Sequence, residues 1–245
     1  MPWNPISRSV CRATLSALLC AGSAIAYADT AIETETAQIG KKGEGNFSQA
    51  FEFEDGKDGS AQGTLTQIEY GLSDRAEILI EPFLFVRLSP EGEPTETGMG
   101  DLEITPSYMI VKEDGWTPAV LLAFKVKVPT GAKNVEGTGK FDYFPYVIFG
   151  QHVGAWTLNA NLGVNFAKPQ EGGSFDKTVV WDVEAERHVS TNLTLFVEAF
   201  NAEDDVNTLS ASAEYQFSKR FNAFAALSYT ENDDKIARVG FNYSF

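Results

Sequence analysis

The sequence predicts an all-β fold: a closed antiparallel outer-membrane β-barrel of about twelve strands. Three observations predict it. Apolar and polar residues alternate in successive runs from Asn46 onward, connections between the runs are alternately short and long, and aromatic residues gather at the run ends. Successive side chains of a strand point to opposite faces, so each run has one apolar and one polar face. In a membrane barrel the first face meets lipid and the second a wet lumen, with short periplasmic turns, longer outer loops and aromatic girdles at the headgroups.

The elements follow in order. Arg8 and Arg12 precede a small-residue apolar stretch, residues 13–26, and Ala26-Tyr27-Ala28 has the form of a cleavage site. The stretch is too short to span a bilayer and reads as a secretory signal peptide over residues 1–28. Cys20 does not make it a lipoprotein signal, because Leu19 is too large for that processing site. Residues 29–45 carry Glu33-Thr-Glu35 and Lys41-Lys42 but no apolar face, and are expected as a flexible periplasmic lead-in, with a lumen insert as the alternative. The barrel domain then occupies 46–245, with strands expected at 47–54, 63–70, 76–88, 102–112, 118–128, 141–150, 156–166, 179–187, 193–200, 209–217, 221–229 and 236–245. The seventh alternates most cleanly: Trp156, Leu158, Ala160, Leu162, Val164 and Phe166 against Thr157, Asn159, Asn161, Gly163 and Asn165. The sixth is apolar on both parities. Short connections fall at 71–75, 113–115, 189–190 and 218–219, and longer ones at 89–100, 129–140 and 167–177. Under this topology Trp156, Phe217, Phe221, Tyr243 and Phe245 lie at periplasmic ends, and Trp181 and Tyr229 at outer ends.

Loss of the signal would remove Arg8 and Arg12 and no acid, taking the formal charge from −15 to −17. That excludes nucleic acid as an expected partner. Both cysteines, Cys11 and Cys20, would leave with the signal, so no disulfide or thiolate chemistry is expected. No later segment is apolar enough for a transmembrane helix.

At the carboxyl end Phe245, Tyr243, Phe241 and Val239 share one parity, and Ser244, Asn242 and Arg238 the other. This end resembles the insertion signal read by the barrel-assembly machinery, with Phe241, Tyr243 and Phe245 as its residues. Residues 98–131 read GMGDLEITPSYMIVKEDGWTPAVLLAFKVKVPTG. The G-x-G-D strand, charged tight turn, T-P-A and closing P-T-G resemble the outer-membrane transporter family labelled for the MetA pathway of phenol degradation. Tyr70-Gly-Leu-Ser-Asp-Arg75 fits it too. The resemblance implies a barrel linked to transport of aromatic or other hydrophobic compounds. Gly98, Gly100, Asp101, Pro118, Pro129 and Gly131 are expected to serve turn and strand-end geometry.

No catalytic, cofactor-binding or metal-ligating residue is expected. His152 falls in a periplasmic turn and His188 at a periplasmic strand end, the wrong place for a Ser/His lipase at the outer leaflet. Asp55-Gly-Lys-Asp58, Asp204-Asp205 and Asp233-Asp234 read as solvated loops rather than cation sites. Specificity would live in the lumen. Twelve strands spaced about 4.8 Å and tilted about 40° give a bore near 24 Å across the backbone, narrowed by side chains to roughly 5–10 Å. Inward parity assigns Arg87, Lys125 and Lys127, with Asp101 and Glu103 between them, to one wall. It assigns Asp182, Glu184, Glu186 and Glu198 to the facing wall, and Glu77, Glu81, Glu214 and Arg238 to the lumen. Inward Leu79, Phe83, Phe85, Phe196 and Phe224 would add apolar surface. The reading is a porin-like channel for passive passage of small solutes, surrounded by outer-membrane lipid and lipopolysaccharide. The alternative is a structural or binding barrel with a plugged lumen.

Overall fold

The computed structural model describes residues 33–133, 135, 139–169, 172–201 and 206–245. The expected signal peptide and Asp204-Asp205 lie outside the described residues. Fourteen strands form one antiparallel sheet: β1 (Gly45–Gly56), β2 (Gly59–Ser73), β3 (Ala76–Pro82), β4 (Phe85–Pro90), β5 (Glu96–Gly98), β6 (Leu102–Val111), β7 (Ala119–Val128), β8 (Asp142–Val153), β9 (Trp156–Ala167), β10 (Asp176–His188), β11 (Leu193–Asn201), β12 (Asn207–Ser218), β13 (Phe221–Thr230) and β14 (Lys235–Ser244). The first strand pairs with both β2 and β14, so the sheet closes. Along β2 run β3 and then β4; β6 pairs β3, and β5 pairs β4. Fourteen strands therefore make twelve staves, two of them broken. Closure leaves no unpaired edge, as a lipid environment requires.

The period-2 pattern places the side chains. On β1, Asn46, Ser48, Ala50, Glu52 and Glu54 are buried in the bore while Phe51 and Phe53 are exposed outside. On β8 both parities are apolar because both are used. Tyr143, Val147 and Phe149 face outward, while Phe144, Tyr146 and Ile148 join a buried cluster inside. An aromatic chain follows the periplasmic rim from Tyr215 to Phe217, Phe221, Phe241 and Phe47, with ring centroids 5.0, 5.8, 5.8 and 6.1 Å apart. Nearby the Arg187 guanidinium lies 5.0 Å over the Trp156 ring. Rings with a polar flank suit the headgroup layer.

One stave departs from simple alternation. Between the pairs Ile68↔Ile80 and Thr64↔Phe85, β2 advances four residues and its partner five. The extra residue is a bulge at Leu84, which flips the facing of everything beyond it. Phe83, Val86 and Leu88 point inward, and Phe85 and Arg87 are exposed outside. Arg87 is therefore not a lumen residue, because parity counted through the bulge assigns it to the wrong face. Phe85 leaves the bore for the same reason.

The seam closes through Gly45 and Phe245. The Gly45 N–H donates to the Phe245 carbonyl at 3.0 Å, and the Phe245 N–H to the Gly45 carbonyl at 2.9 Å. Phe245 faces outward and Ser244 follows the inward parity. Phe245→Asp is expected to strip most of the protein from the outer-membrane fraction, whereas Ser244→Asp reduces it mildly. Equal losses on fractionation would contradict this assignment of faces.

Candidate functional site

The bore is the site, and strand parity builds it. On β7, Lys125 is buried with its Nζ 3.1 Å from Glu103 of β6 and 3.9 Å from Glu81 of β3. Glu81 also accepts a hydrogen bond from Gln67 Nε2 at 3.0 Å. Lys127 stands in register with Glu103 and Asp142. On β14, Arg238 donates to Glu52 of β1 from Nη2 at 2.6 Å and Nε at 2.8 Å. The inward bases thus face acids of their own neighbourhood.

The opposite wall is acidic and held by neutral donors. Asn161 donates to Asp182 at 3.2 Å, and Asn159 to Glu184 at 2.9 Å. Glu186 Oε1 lies 3.2 Å from His188 Nε2 at the periplasmic end. Glu214 of β12 is buried in register with Thr194 and Phe224. This wall lies three to five staves from the one that carries Lys125.

Residues 33–40 occupy the bore itself. All except Gln38 and Ile39 are buried. The N–H groups of Glu33 and Thr34 and the Thr34 hydroxyl all donate to Glu198 Oε1, the first at 2.8 Å and the last at 2.7 Å. Tyr146 donates its hydroxyl to Glu35 at 2.9 Å, and Gly40 N–H donates to Glu77 at 3.0 Å. Over 33–40 the placement matches the lumen-insert alternative and not a periplasmic lead-in, while 29–32 lie outside the described residues. A segment without an apolar face reads as solvated, but here its polar groups find partners on the lumen wall.

The block 98–131 acquires a mechanical meaning. Asp101, fully buried, accepts the Gly131 N–H at 2.6 Å. Thr130 Oγ1 accepts the Leu102 N–H at 2.9 Å, and Ala132 N–H donates to the Met99 carbonyl at 2.8 Å. A side chain on Gly98 would meet Val135 and Ala132. Val135 is fully buried against Ala61, Val86, Leu88 and Ile236. The motif ties the outer loop after β7 into the outer mouth, and Asp101 acts as its fastening.

Outside the bore, Pro145 lacks a donor for the β8–β9 ladder, whose register has no pair between Tyr143↔Phe166 and Tyr146↔Gly163. A groove of about 550 Å³ lies there, lined by Leu122, Pro145, Val147, Leu162, Val164 and Val179 among others. At the periplasmic turn, Glu113 Oε2 lies 2.6 Å from His152 Nδ1, and Oε1 accepts the His152 N–H at 2.9 Å. Slight burial raises this carboxyl, but the hydrogen bonds from His152 outweigh it and hold Glu113 below the usual carboxylate range. Among the described residues no cluster of His, Cys, Asp and Glu is arranged to hold a metal.

Sequence reasoning did not single out Glu52, Tyr146, Asn159 or the segment's own Glu33 and Glu35 as lumen groups. Parity counting places Glu52 and Asn159 on the inward face, but the strand that carries Tyr146 is apolar on both parities and leaves that residue unassigned. No sequence signal marks Glu33 and Glu35.

A closed twelve-stave barrel with an apolar outer wall, an aromatic rim and a charged bore defines an integral β-barrel protein of the bacterial outer membrane. The chain belongs to the family described as "Putative MetA-pathway of phenol degradation", whose model matches residues 33–245. Solved structures share the fold. The COG4313 outer membrane channel from Pseudomonas putida F1 is 14% identical, covering 82% of this chain and 94% of that one, with a TM-score of 0.63. The KdgM porin is 14% identical, covering 81% and 99%, with a TM-score of 0.58. The translocator domain of autotransporter NalP from Neisseria meningitidis is 12% identical, covering 82% and 88%, with a TM-score of 0.52. A comparison with curated proteins returned no match.

Proposed function

We propose that the protein is a channel for passive passage of small solutes across the outer membrane, and that its bore favours cations and neutral molecules over anions. The observation that carries the ion preference is the unequal neutralisation of the walls. Lys125 and Arg238 are engaged by Glu103, Glu81 and Glu52, while Asp182 and Glu184 are held by uncharged asparagines. A confined net-negative path concentrates cations and repels anions. That proteins of similar fold are a porin and an outer membrane channel supports the transport reading, and the family's description points to aromatic compounds. Aromatic or other hydrophobic bodies fit this reading through inward Phe83 and Phe224, which line the bore beside Leu65. The reading is not of an enzyme: both histidines sit at the periplasmic end. Insertion by the barrel-assembly machinery and contact with lipopolysaccharide belong to the same proposal.

The test is reversal potential in a salt gradient across a planar bilayer. Wild type is expected to lean toward cations, Asp182→Asn with Glu184→Gln to lose much of that preference, and Lys125→Gln to increase it. An anion-selective wild type would overturn the acidic-bore reading. The presence of residues 33–40 in the bore favours the rival, a barrel that conducts nothing, and complete absence of current in every variant would select it.

A further inference from the structure

We propose that residues 33–40 form a releasable gate, which holds the bore closed by occupying wall carboxylates that a cation would otherwise use. The inference rests on the channel reading and adds how such a channel is opened.

The first ground is how the segment is held. Among the described residues, no main-chain to main-chain hydrogen bond ties 33–40 to a stave. Such bonds begin at the turn that follows, where Gly43 N–H donates to the Gly71 carbonyl of β2 at 2.9 Å and Gly71 N–H to the Glu44 carbonyl at 3.0 Å. The segment can therefore leave as a unit about residues 41–44 without breaking any rung of the barrel. Its anchors are wall side chains: Glu198, Asn159, Tyr146 and Glu77.

The second ground is the chemistry of those anchors. Glu198 receives three donors on one oxygen, and Glu77 receives one from Gly40. Hydrogen bonds to an ionised acceptor are strong, and a buried carboxylate deprived of its donors needs replacements. In an opened bore, water and a permeating cation are among the available ones. Segment and cation thus compete for the same oxygens, so cation entry favours release.

The third ground is the seat. Ala37 is buried in a cluster with Met109, Ala119, Leu121, Ala123 and Ile148, and Ile39 packs against it. These apolar side chains face into a bore that is polar elsewhere along the same staves, which a purely aqueous path does not call for. They are the complement of the segment.

The experiment compares single-channel records of the mature wild type, a deletion of residues 33–40, Ala37→Asp and Glu198→Gln. A folded, heat-modifiable band on gels is required of each variant before recording. Ala37→Asp leaves the barrel sequence intact and puts a charge into the apolar seat, so it serves if the deletion fails to assemble. The deletion and Ala37→Asp are expected to conduct several-fold more than wild type, and Glu198→Gln to be open for a larger fraction of the time. Added magnesium chloride is expected to raise wild-type opening beyond an ionic-strength control, and to do so less in Glu198→Gln. If wild type conducts and the variants match it, the gate is overturned while the channel reading stands. If none conducts, both fall. An equal magnesium response in wild type and Glu198→Gln would overturn the competition at Glu198.

Discussion

Arg238→Met is expected to destabilise the folded barrel by about 3–5 kcal/mol, the cost of leaving a buried charge without its partner. Arg238 and Glu52 are directly opposed across the seam between β14 and β1, and each side chain is only 3% exposed. Two nitrogens of Arg238 converge on one Glu52 oxygen, so methionine removes both bonds at once. The double change Arg238→Met with Glu52→Leu is expected to recover most of the loss, because it removes the stranded charge as well. Urea unfolding in lipid vesicles measures both. A loss below about 1 kcal/mol, the range of an exposed pair, would show that bulk water reaches the seam pair freely.

The second large effect concerns depth in the bilayer. Val197 lies at the middle of β11, exposed to lipid and paired with Ala185 and Ala211. Val197→Arg is expected to cost about 2–4 kcal/mol, as charge does near the bilayer midplane of a barrel. Leu195, one outward position nearer the periplasm, pairs with Arg187, which stacks on Trp156. Leu195→Arg is expected to cost only about 0–1 kcal/mol, because its charge can reach the headgroups. Equal costs at the two positions would place the lipid boundary elsewhere or replace lipid by a protein layer.

Twelve staves were legible in the sequence, because a wall with lipid on one side and polar bore on the other enforces alternation along most of its length; β5, which completes one of them, lay inside the connection expected at 89–100. The ambiguity of the sixth expected strand had a physical source. Phe144, Tyr146 and Ile148 seat or surround a segment that is distant in sequence. Arg87 was misassigned because a bulge leaves no local mark: Phe83, Leu84 and Phe85 are equally acceptable on either face. Among the lumen candidates, Glu103, Lys125, Lys127, Asp182, Glu184, Glu186, Glu198, Glu214 and Arg238 line the bore wall. Asp101 is also buried but serves the loop after β7. What parity could not show is which charges neutralise one another. Lys125 reaches Glu81 from a stave two removed, and the Glu198 donors come from residues more than 160 positions away.

Those separations bear on the order of assembly. The gate segment's anchors lie on β3, β8, β9 and β11, and its bonds to β8, β9 and β11 span 111 to 165 residues of chain. Contacts so distant along the chain repay their closure entropy only once the intervening chain is already ordered. The pocket that receives Ala37 exists only after β6 to β10 have formed their part of the wall. The segment at the front of the described chain is thus among the last to reach its place. On the gate proposal, a newly closed barrel would first have a bore that residues 33–40 do not yet fill, and their docking would be a late local step separate from barrel closure.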